Sequence, residues 1–284
     1  MGCSMMIEIN DLTFIYKGEQ KPALQEIRLT VPEGGFLGVI GPAGAGKTTL
    51  ARAVSGMIPH HYTGDYYGSV TVNGMDTVET SLEDISRLVG MVFQDVDSQI
   101  ISPVVEDELL YGLENFGIPR EEIPQRIDEA LQKVGIADLR ERAVGSLSGG
   151  QRQKVAIASI IALKPKILLL DEPTGELDPQ SSRQVFSLLK ELNEEQGITV
   201  IIIEQKIMLL CEFARQLAVL SGGKIVRQGG IRDVLAHAEE LEALGVNCPR
   251  VTTLSRVLSA RSGEEQPVCL NLDEAENMVR RLIL

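Results

Sequence analysis

The chain predicts an α/β fold built on a parallel sheet, and three stretches carry that prediction. Phe36–Ile40 is a short apolar run, followed by Gly41-Pro42-Ala43-Gly44-Ala45-Gly46-Lys47-Thr48 and then by a proline-free, helix-forming segment from Thr48 to Met57. Ile167-Leu168-Leu169-Leu170 is a second apolar run, ending in Asp171-Glu172, and Ile198 to Ile203 is a third. Short runs without polar alternation read as strands buried on both faces, the pattern of a parallel sheet covered by helices.

The first run leads into G-x-x-x-x-G-K-T, the P-loop pattern that holds nucleotide phosphates. Glycines let backbone N–H groups turn inward around an anion, and the helix starting near Lys47 points its positive end at the same place. Lys47 is expected to reach the β and γ phosphates and Thr48 to ligate Mg²⁺, with Gly41 through Thr49 forming the nucleotide cradle. A glycine-rich strand-to-helix turn without a ligand is the bland alternative. The filled positions and correct flanks weigh against it. The second run has the shape of a Walker B element: Asp171 would hold Mg²⁺ through water, and Glu172 would polarise a water aimed at the γ phosphate. Adjacent strand residues face opposite ways, so the two carboxylates need not share a role. A strand that simply ends in acidic turn residues is the alternative.

The 284 residues, 44% of them hydrophobic, suffice for one main domain and a small extension. No run of about eighteen apolar residues offers a membrane span. Met1-Gly2-Cys3-Ser4-Met5-Met6 supports neither a signal peptide nor myristoylation. Cys3, Cys211, Cys248 and Cys269 are scattered without metal-ligand spacing and suit reduced thiols. Adjacent His60 and His61 read as surface loop residues. A net charge of −13 without a basic stripe argues against a nucleic-acid partner.

Leu147-Ser148-Gly149-Gly150-Gln151 stands shortly before the second apolar run. Alone it is a helix-entry loop with Ser148 as cap. Between the two Walker elements it resembles the signature of the ATP-binding cassette (ABC) ATPases, and the resemblance extends over almost the whole chain. It implies an ATPase, with ATP and Mg²⁺ as cofactors. Tyr16 matches the aromatic on which adenine stacks, although a tyrosine there is more often a half-buried strand residue. Gln94 matches the glutamine that touches Mg²⁺ and the attacking water, and Asp178 the loop that signals across a dimer. The family pairs two cassettes head to tail, so Ser148, Gly149, Gly150 and Gln151 are expected to meet nucleotide held by the partner chain.

Two positions depart from the family pattern. After the strand Ile198 to Ile203, where the family usually places a histidine, the sequence reads Glu204-Gln205-Lys206. Gln205 can donate to phosphate but cannot titrate near neutral pH. Glu176 stands where small or neutral residues are commoner. Weakened hydrolysis and harmless drift are both open readings.

Gln94-Asp95-Val96-Asp97-Ser98-Gln99, the acidic Glu106-Asp107-Glu108 and Tyr111-Gly112-Leu113-Glu114-Asn115 resemble the ATPases of energy-coupling factor (ECF) transporters, which take up vitamins, cobalt or nickel. That resemblance implies a peripheral protein on the cytoplasmic face of the membrane. Its partners would be a second ATPase subunit, a transmembrane coupling subunit and a substrate-binding membrane subunit. Glu106, Asp107 and Glu108 could meet arginines of the coupling subunit, or be merely solvated. Residues 5–230 are expected to form the ABC domain, with a parallel core sheet, an N-terminal antiparallel β subdomain and a helical signature subdomain at about 95–163. Residues 231–284 are expected to form a small C-terminal extension that pairs two copies or simply caps the fold. A weakly hydrolysing subunit of a heterodimer, and a soluble non-transport ABC ATPase, are the alternatives.

Overall fold

The computed structural model describes residues 4–264 and 266–283. The chain opens with β1 (Met5–Tyr16) and β2 (Leu24–Pro32), enters the central strand β3 (Phe36–Ile40), and passes through the glycine loop into α1 (Lys47–Val54) and a short α2 (Met57–His60). It returns to the first sheet as β4 (Gly64–Val72) and β5 (Met75–Asp76), then reaches β6 (Val89–Val92) through α3 (Leu82–Ser86). Three helices follow: α4 (Val105–Asn115), α5 (Ile123–Lys133) and α6 (Gly149–Ala162). Strands β7 (Ile167–Asp171) and β8 (Thr199–Ile203) are joined by α7 (Pro179–Gln196), and α8 (Ile207–Phe213) leads to β9 (Gln216–Ser221) and β10 (Lys224–Gly230). The tail is α9 (Ile231–Leu235), α10 (Ala238–Ala243), α11 (Arg250–Ser262) and α12 (Leu272–Ile283).

The strands form an antiparallel sheet of order β2-β1-β4-β5 and a larger sheet of order β10-β9-β3-β8-β7-β6. In the larger sheet all neighbours are parallel except the β9–β10 pair. Every residue of β3, β7 and β8 is buried, because helices or the first sheet cover both faces. Alternation along β7 shows the two layers. Leu168 and Leu170 pack toward α4–α7, while Ile167 and Leu169 pack toward α1 and the antiparallel sheet. Strand β4 begins at Gly64, which pairs with Tyr16 at the end of β1.

Register brings the functional loops together. Ile203 pairs with Val39 on one side and with Asp171 on the other, so the carboxyl ends of β3, β8 and β7 lie side by side. Loops leaving that edge converge on one crevice, where ligands bind in open α/β sheets.

Within the tail, Arg232 of α9 donates to Glu274 Oε1 of α12 at 2.7 Å, and Val251, Cys269, Ala275 and Met278 form a small core. Among the described residues no helix is long and apolar enough to cross a membrane. Cys3 lies outside the described residues, and Cys211, Cys248 and Cys269 are free thiols.

Candidate nucleotide site

The loop from β3 to α1 is shaped by its glycines. Gly44 (φ 72°) and Gly46 (φ 103°) adopt left-handed backbone, and a Cβ on Gly46 would lie 2.5 Å from the Ala23 carbonyl oxygen. Only glycine allows that approach. Lys47 is 8% exposed, and its Nζ donates to the carbonyls of Gly41 at 2.9 Å and Pro42 at 3.0 Å. The ammonium therefore lies folded against the loop, within the cleft that Ala43–Thr49 line together with Ala23, Gln94, Glu172 and Gln205.

Opposite the loop, the end of β7 supplies both carboxylates. Asp171 is 2% exposed. Burial pushes its carboxyl above the usual carboxylate range; a hydrogen bond from the Thr48 hydroxyl opposes this, the charge of Glu172 adds to it, and Lys47 and Arg52 pull it back. Glu172 has φ 50°, a left-handed conformation that costs a non-glycine residue about 1–3 kcal/mol and recurs at functional sites. Its own N–H donates to Ile203 O at 2.9 Å, which pins it to the end of β8.

The Glu172 carboxylate is the meeting point of the cleft. Gln205 Nε2 donates to Oε1 at 2.8 Å, and Gln94 Nε2 donates to Oε2 at 2.9 Å. Three residues singled out from separate parts of the sequence thus touch through one side chain. A hydroxyl, a buried carboxylate and an amide are also hard oxygen donors of the kind Mg²⁺ takes. Among the described residues no three His, Cys, Asp or Glu side chains cluster to hold a metal. A cation here would need phosphate oxygens and water to complete its shell.

The signature residues lie elsewhere. Ser148 caps α6: its hydroxyl accepts from Gln151 N at 3.3 Å, while the Gln151 side chain accepts from Ser148 N at 2.9 Å. They line a second cleft with Glu176, Leu177 and Asp178, and share no residue with the P-loop cleft. Asp178 caps α7, accepting from Gln180 N at 2.9 Å and Ser181 N at 3.0 Å. Tyr16 does not line the P-loop cleft. Its hydroxyl shares a hydrogen bond with Thr49 Oγ1 at 3.1 Å and accepts from Arg52 at 3.0 Å, and Arg52 stacks 4.1 Å above the Tyr62 ring.

The acidic run on α4 needs correction. Glu108 is 7% exposed and accepts from the N–H groups of Ile101 at 2.9 Å and Ser102 at 2.8 Å, so it caps the preceding loop. Glu106 is paired with Arg140, whose guanidinium holds its carboxyl below the usual range. Of the three, only Asp107 faces solvent without such a tie. The reason is helical geometry: Val105, Glu108 and Leu109 share the inward face, and the loop before α4 leaves N–H groups that need an acceptor.

Three contacts were not legible from sequence. Arg152 donates to Asp97 Oδ1 at 2.5 Å, tying the signature helix to the segment after Gln94. Glu204 is 2% exposed, and Lys206 reaches back to the β7–α7 connection. Charged residues just past an apolar strand are ordinarily turn residues, so no sequence signal marked them.

Residues 24–175 match the family described as ABC transporter. A protein of Pyrococcus horikoshii described as an ABC transporter ATP-binding protein is 40% identical over 275 residues, covering 97% of this chain and 96% of that one. The energy-coupling factor transporter ATP-binding protein EcfA1 of Caldanaerobacter subterraneus subsp. tengcongensis is 38% identical over 98% of this chain and 100% of its own length. Among solved structures, CbiO1 of Clostridium perfringens, part of the ABC transporter complex CbiONQ, matches with a TM-score of 0.74 and 30% identity over 88% of this chain and 98% of CbiO1. The cassette MJ0796, in a dimeric post-hydrolysis state bound to ADP and Pi, matches at 0.71 and 28% identity over 80% of this chain and 99% of its own. With the P-loop, the carboxylates and the signature placed on this fold, the chain belongs to the ATP-binding subunits of ABC transporters, which are ATPases, and among them it resembles the energy-coupling factor type.

Proposed function

We propose that this chain is the motor of an ECF-type importer of a vitamin or metal ion, working as a dimer on the cytoplasmic face of the membrane beneath a transmembrane coupling subunit and a substrate-binding membrane subunit. The observation that carries the reading is the convergence of Gln94 and Gln205 on Glu172, over a P-loop whose Lys47 is already turned inward. In this reading Lys47 moves from the Gly41 and Pro42 carbonyls to phosphate oxygens, a charge-assisted exchange. Thr48, Asp171 and Gln94 would hold Mg²⁺, which would supply Lewis-acid neutralisation of phosphate charge. Glu172 accepts hydrogen bonds on both oxygens, so its carboxylate is aimed before any water arrives. Gln205 donates either to Glu172 or to a γ phosphate, and can signal occupancy by changing partner. Tyr16 is the adenine-stacking candidate of this reading, with its hydroxyl held by Thr49 and Arg52.

The separate position of Ser148–Gln151 supports a two-chain site, since in this fold no residue of that cleft lines the P-loop cleft. CbiO1 is described as part of a transporter complex and MJ0796 as a dimer, and both support partners of that kind for this chain. The docking face would comprise Ile101 (70% exposed), Tyr111 (48% exposed) and Asp107 beside the Gln94 loop. The chain should be purified from membranes in mild detergent. The reading expects two multi-span membrane proteins in stoichiometric amounts and ATP hydrolysis by the complex. Recovery of an active ATPase with no membrane partner would refute the importer assignment. A second reading, a slow subunit of a heterodimeric pair, is favoured by one feature: an uncharged Gln205 at the switch position.

A further inference from the structure

We propose that Lys206 is a positioning residue that makes the switch glutamine and the loop Thr174–Asp178 move as one body, relaying phosphate contact at Gln205 to the chain's own signature helix. The inference rests on the two-chain site of the preceding section and adds the internal link between its halves.

Gln205 sits between two anchors on the same distant segment. On one side, Glu204 is buried, and its Oε2 accepts from the Thr174 hydroxyl at 2.6 Å. Its Oε1 accepts from the N–H groups of Gln205 at 2.9 Å and Lys206 at 3.3 Å, which fixes the switch backbone. On the other side, Lys206 Nζ donates to Thr174 O at 2.7 Å, Leu177 O at 3.1 Å and Ser182 Oγ at 2.8 Å. An ammonium has three N–H donors, and here two have acceptors on the β7–α7 connection and the third has Ser182 in the first turn of α7. A displacement of Gln205 toward a γ phosphate therefore drags Thr174 and Leu177 with it, or breaks several charge-assisted bonds at once.

The far end of that loop rests on the signature. The Glu176 carboxylate lies directly over Gly149, and a Cβ on Gly150 would come within 2.9 Å of Leu177 Cδ2. Gly149 and Gly150 open α6, the turn whose free N–H groups would meet the partner's nucleotide. The Glu176 carboxylate beside Gly149 places negative charge at the start of α6, which opposes the approach of another anion to that helix end. A contiguous series thus runs from the P-loop cleft through Gln205, Lys206, the Leu177 carbonyl and Glu176 to the signature cleft. Contiguity alone does not establish coupling, so the test measures coupling directly.

The experiment uses the full chain with Glu172→Gln to suppress turnover. A fluorescent ATP analogue titrates dilute monomer, and light scattering follows ATP-driven dimer formation. Lys206→Met should leave monomer affinity within about threefold but raise the ATP needed for dimer formation about tenfold, inside the usual range of coupling between sites. Ser182→Ala, which removes one acceptor, should shift dimer formation about threefold in the same direction, and Lys206→Arg should restore part of the loss. Glu176→Ala should ease dimer formation alone but lose that effect in the Lys206→Met background, although the two side chains share no bond. Additive effects, or monomer affinity falling in step with dimer formation, would overturn the relay and leave Lys206 a structural residue. A parent chain that dimerises normally while Lys206→Met and Ser182→Ala match it overturns the relay alone. A parent that binds ATP and never dimerises overturns the two-chain site and the relay with it.

Discussion

Replacing Glu172 by glutamine keeps the size and shape of the side chain while removing the charge on which the P-loop cleft converges. In the native cleft both oxygens accept amide hydrogens, from Gln205 at 2.8 Å and Gln94 at 2.9 Å. A carboxamide has one oxygen, so one of the two glutamines keeps its acceptor and the other faces an NH₂ group. Each charge-assisted bond contributes up to about 1.5–3 kcal/mol, toward the lower end here because Glu172 is only half-buried and solvent screens it. The loss of a positioned base adds to this. Turnover should fall about 10²-fold, equivalent to about 2.7 kcal/mol of transition-state stabilisation. Lys47 and the P-loop amides are untouched, so ATP affinity should hold. Phosphate release by the assembled complex gives turnover, and calorimetric titration gives affinity. Turnover within about threefold of the parent would refute the role of Glu172. Equal losses of affinity and turnover would show that Glu172 supports binding rather than chemistry.

Lys47→Ala should lower ATP affinity about tenfold or more by calorimetry, because the ammonium supplies charge-assisted contacts worth about 1.5–3 kcal/mol. Glu108→Ala strips the Ile101 and Ser102 N–H groups of their acceptor and should cost about 1–3 kcal/mol in urea unfolding. The neighbouring Asp107→Lys should change stability by less than about 0.5 kcal/mol yet weaken association with membrane partners. Burial pushes the Cys211 thiol up to about 12 and the Cys248 thiol up to about 11. Both stay protonated at pH 8, so alkylation of either, mapped by mass spectrometry, should be slow and quicken as pH rises toward those values; fast labelling at pH 8 would contradict the packing. Gln205→His should raise turnover if this chain forms the slow site of a heterodimer. A purified homodimer with brisk activity, indifferent to that change, would refute the slow-site reading.

The fold was legible wherever burial wrote itself into composition. Phe36–Ile40, Ile167–Leu170 and Ile198–Ile203 are apolar without alternation because they are covered on both faces, and they are the centre of the larger sheet. The P-loop was legible because its glycines answer to backbone geometry, as Gly46 against Ala23 shows. Contacts between side chains distant in sequence were not. The acidic run at Glu106–Glu108 reads as one charged patch, and three-dimensional structure divides it into an ion pair, a buried cap and a single exposed carboxylate. Lys206 has the composition of a surface turn, and only the proximity of the β7–α7 connection gives its ammonium a purpose. The tie that holds the tail's own helices together was not legible either, since it depends on Arg232 of α9 meeting Glu274 of α12 across forty-two positions of sequence.

The glutamine at the switch position changes how the cleft keeps its charges in order. Gln205 donates to Glu172 whatever the pH, since an amide has no proton to lose in the working range. A histidine there would donate as a cation at low pH and as a neutral ring above it, so its hold on Glu172 would vary across neutrality. With two amides as its partners, Glu172 gains orientation but no compensating positive charge from either. The cations near the carboxylates are then Lys47 and Arg52, and the former is tied to the P-loop carbonyls. Asp171, already pushed toward neutrality by burial, adds its own charge to the same region whenever it ionises. A divalent cation would offset the carboxylate charge that the two amides leave uncompensated. A protonated histidine would supply part of that compensation, and Gln205 supplies none. In the proposed reading, Gln205 leaves part of the charge balance to the ligands and ties the switch to what the cleft holds rather than to the surrounding pH.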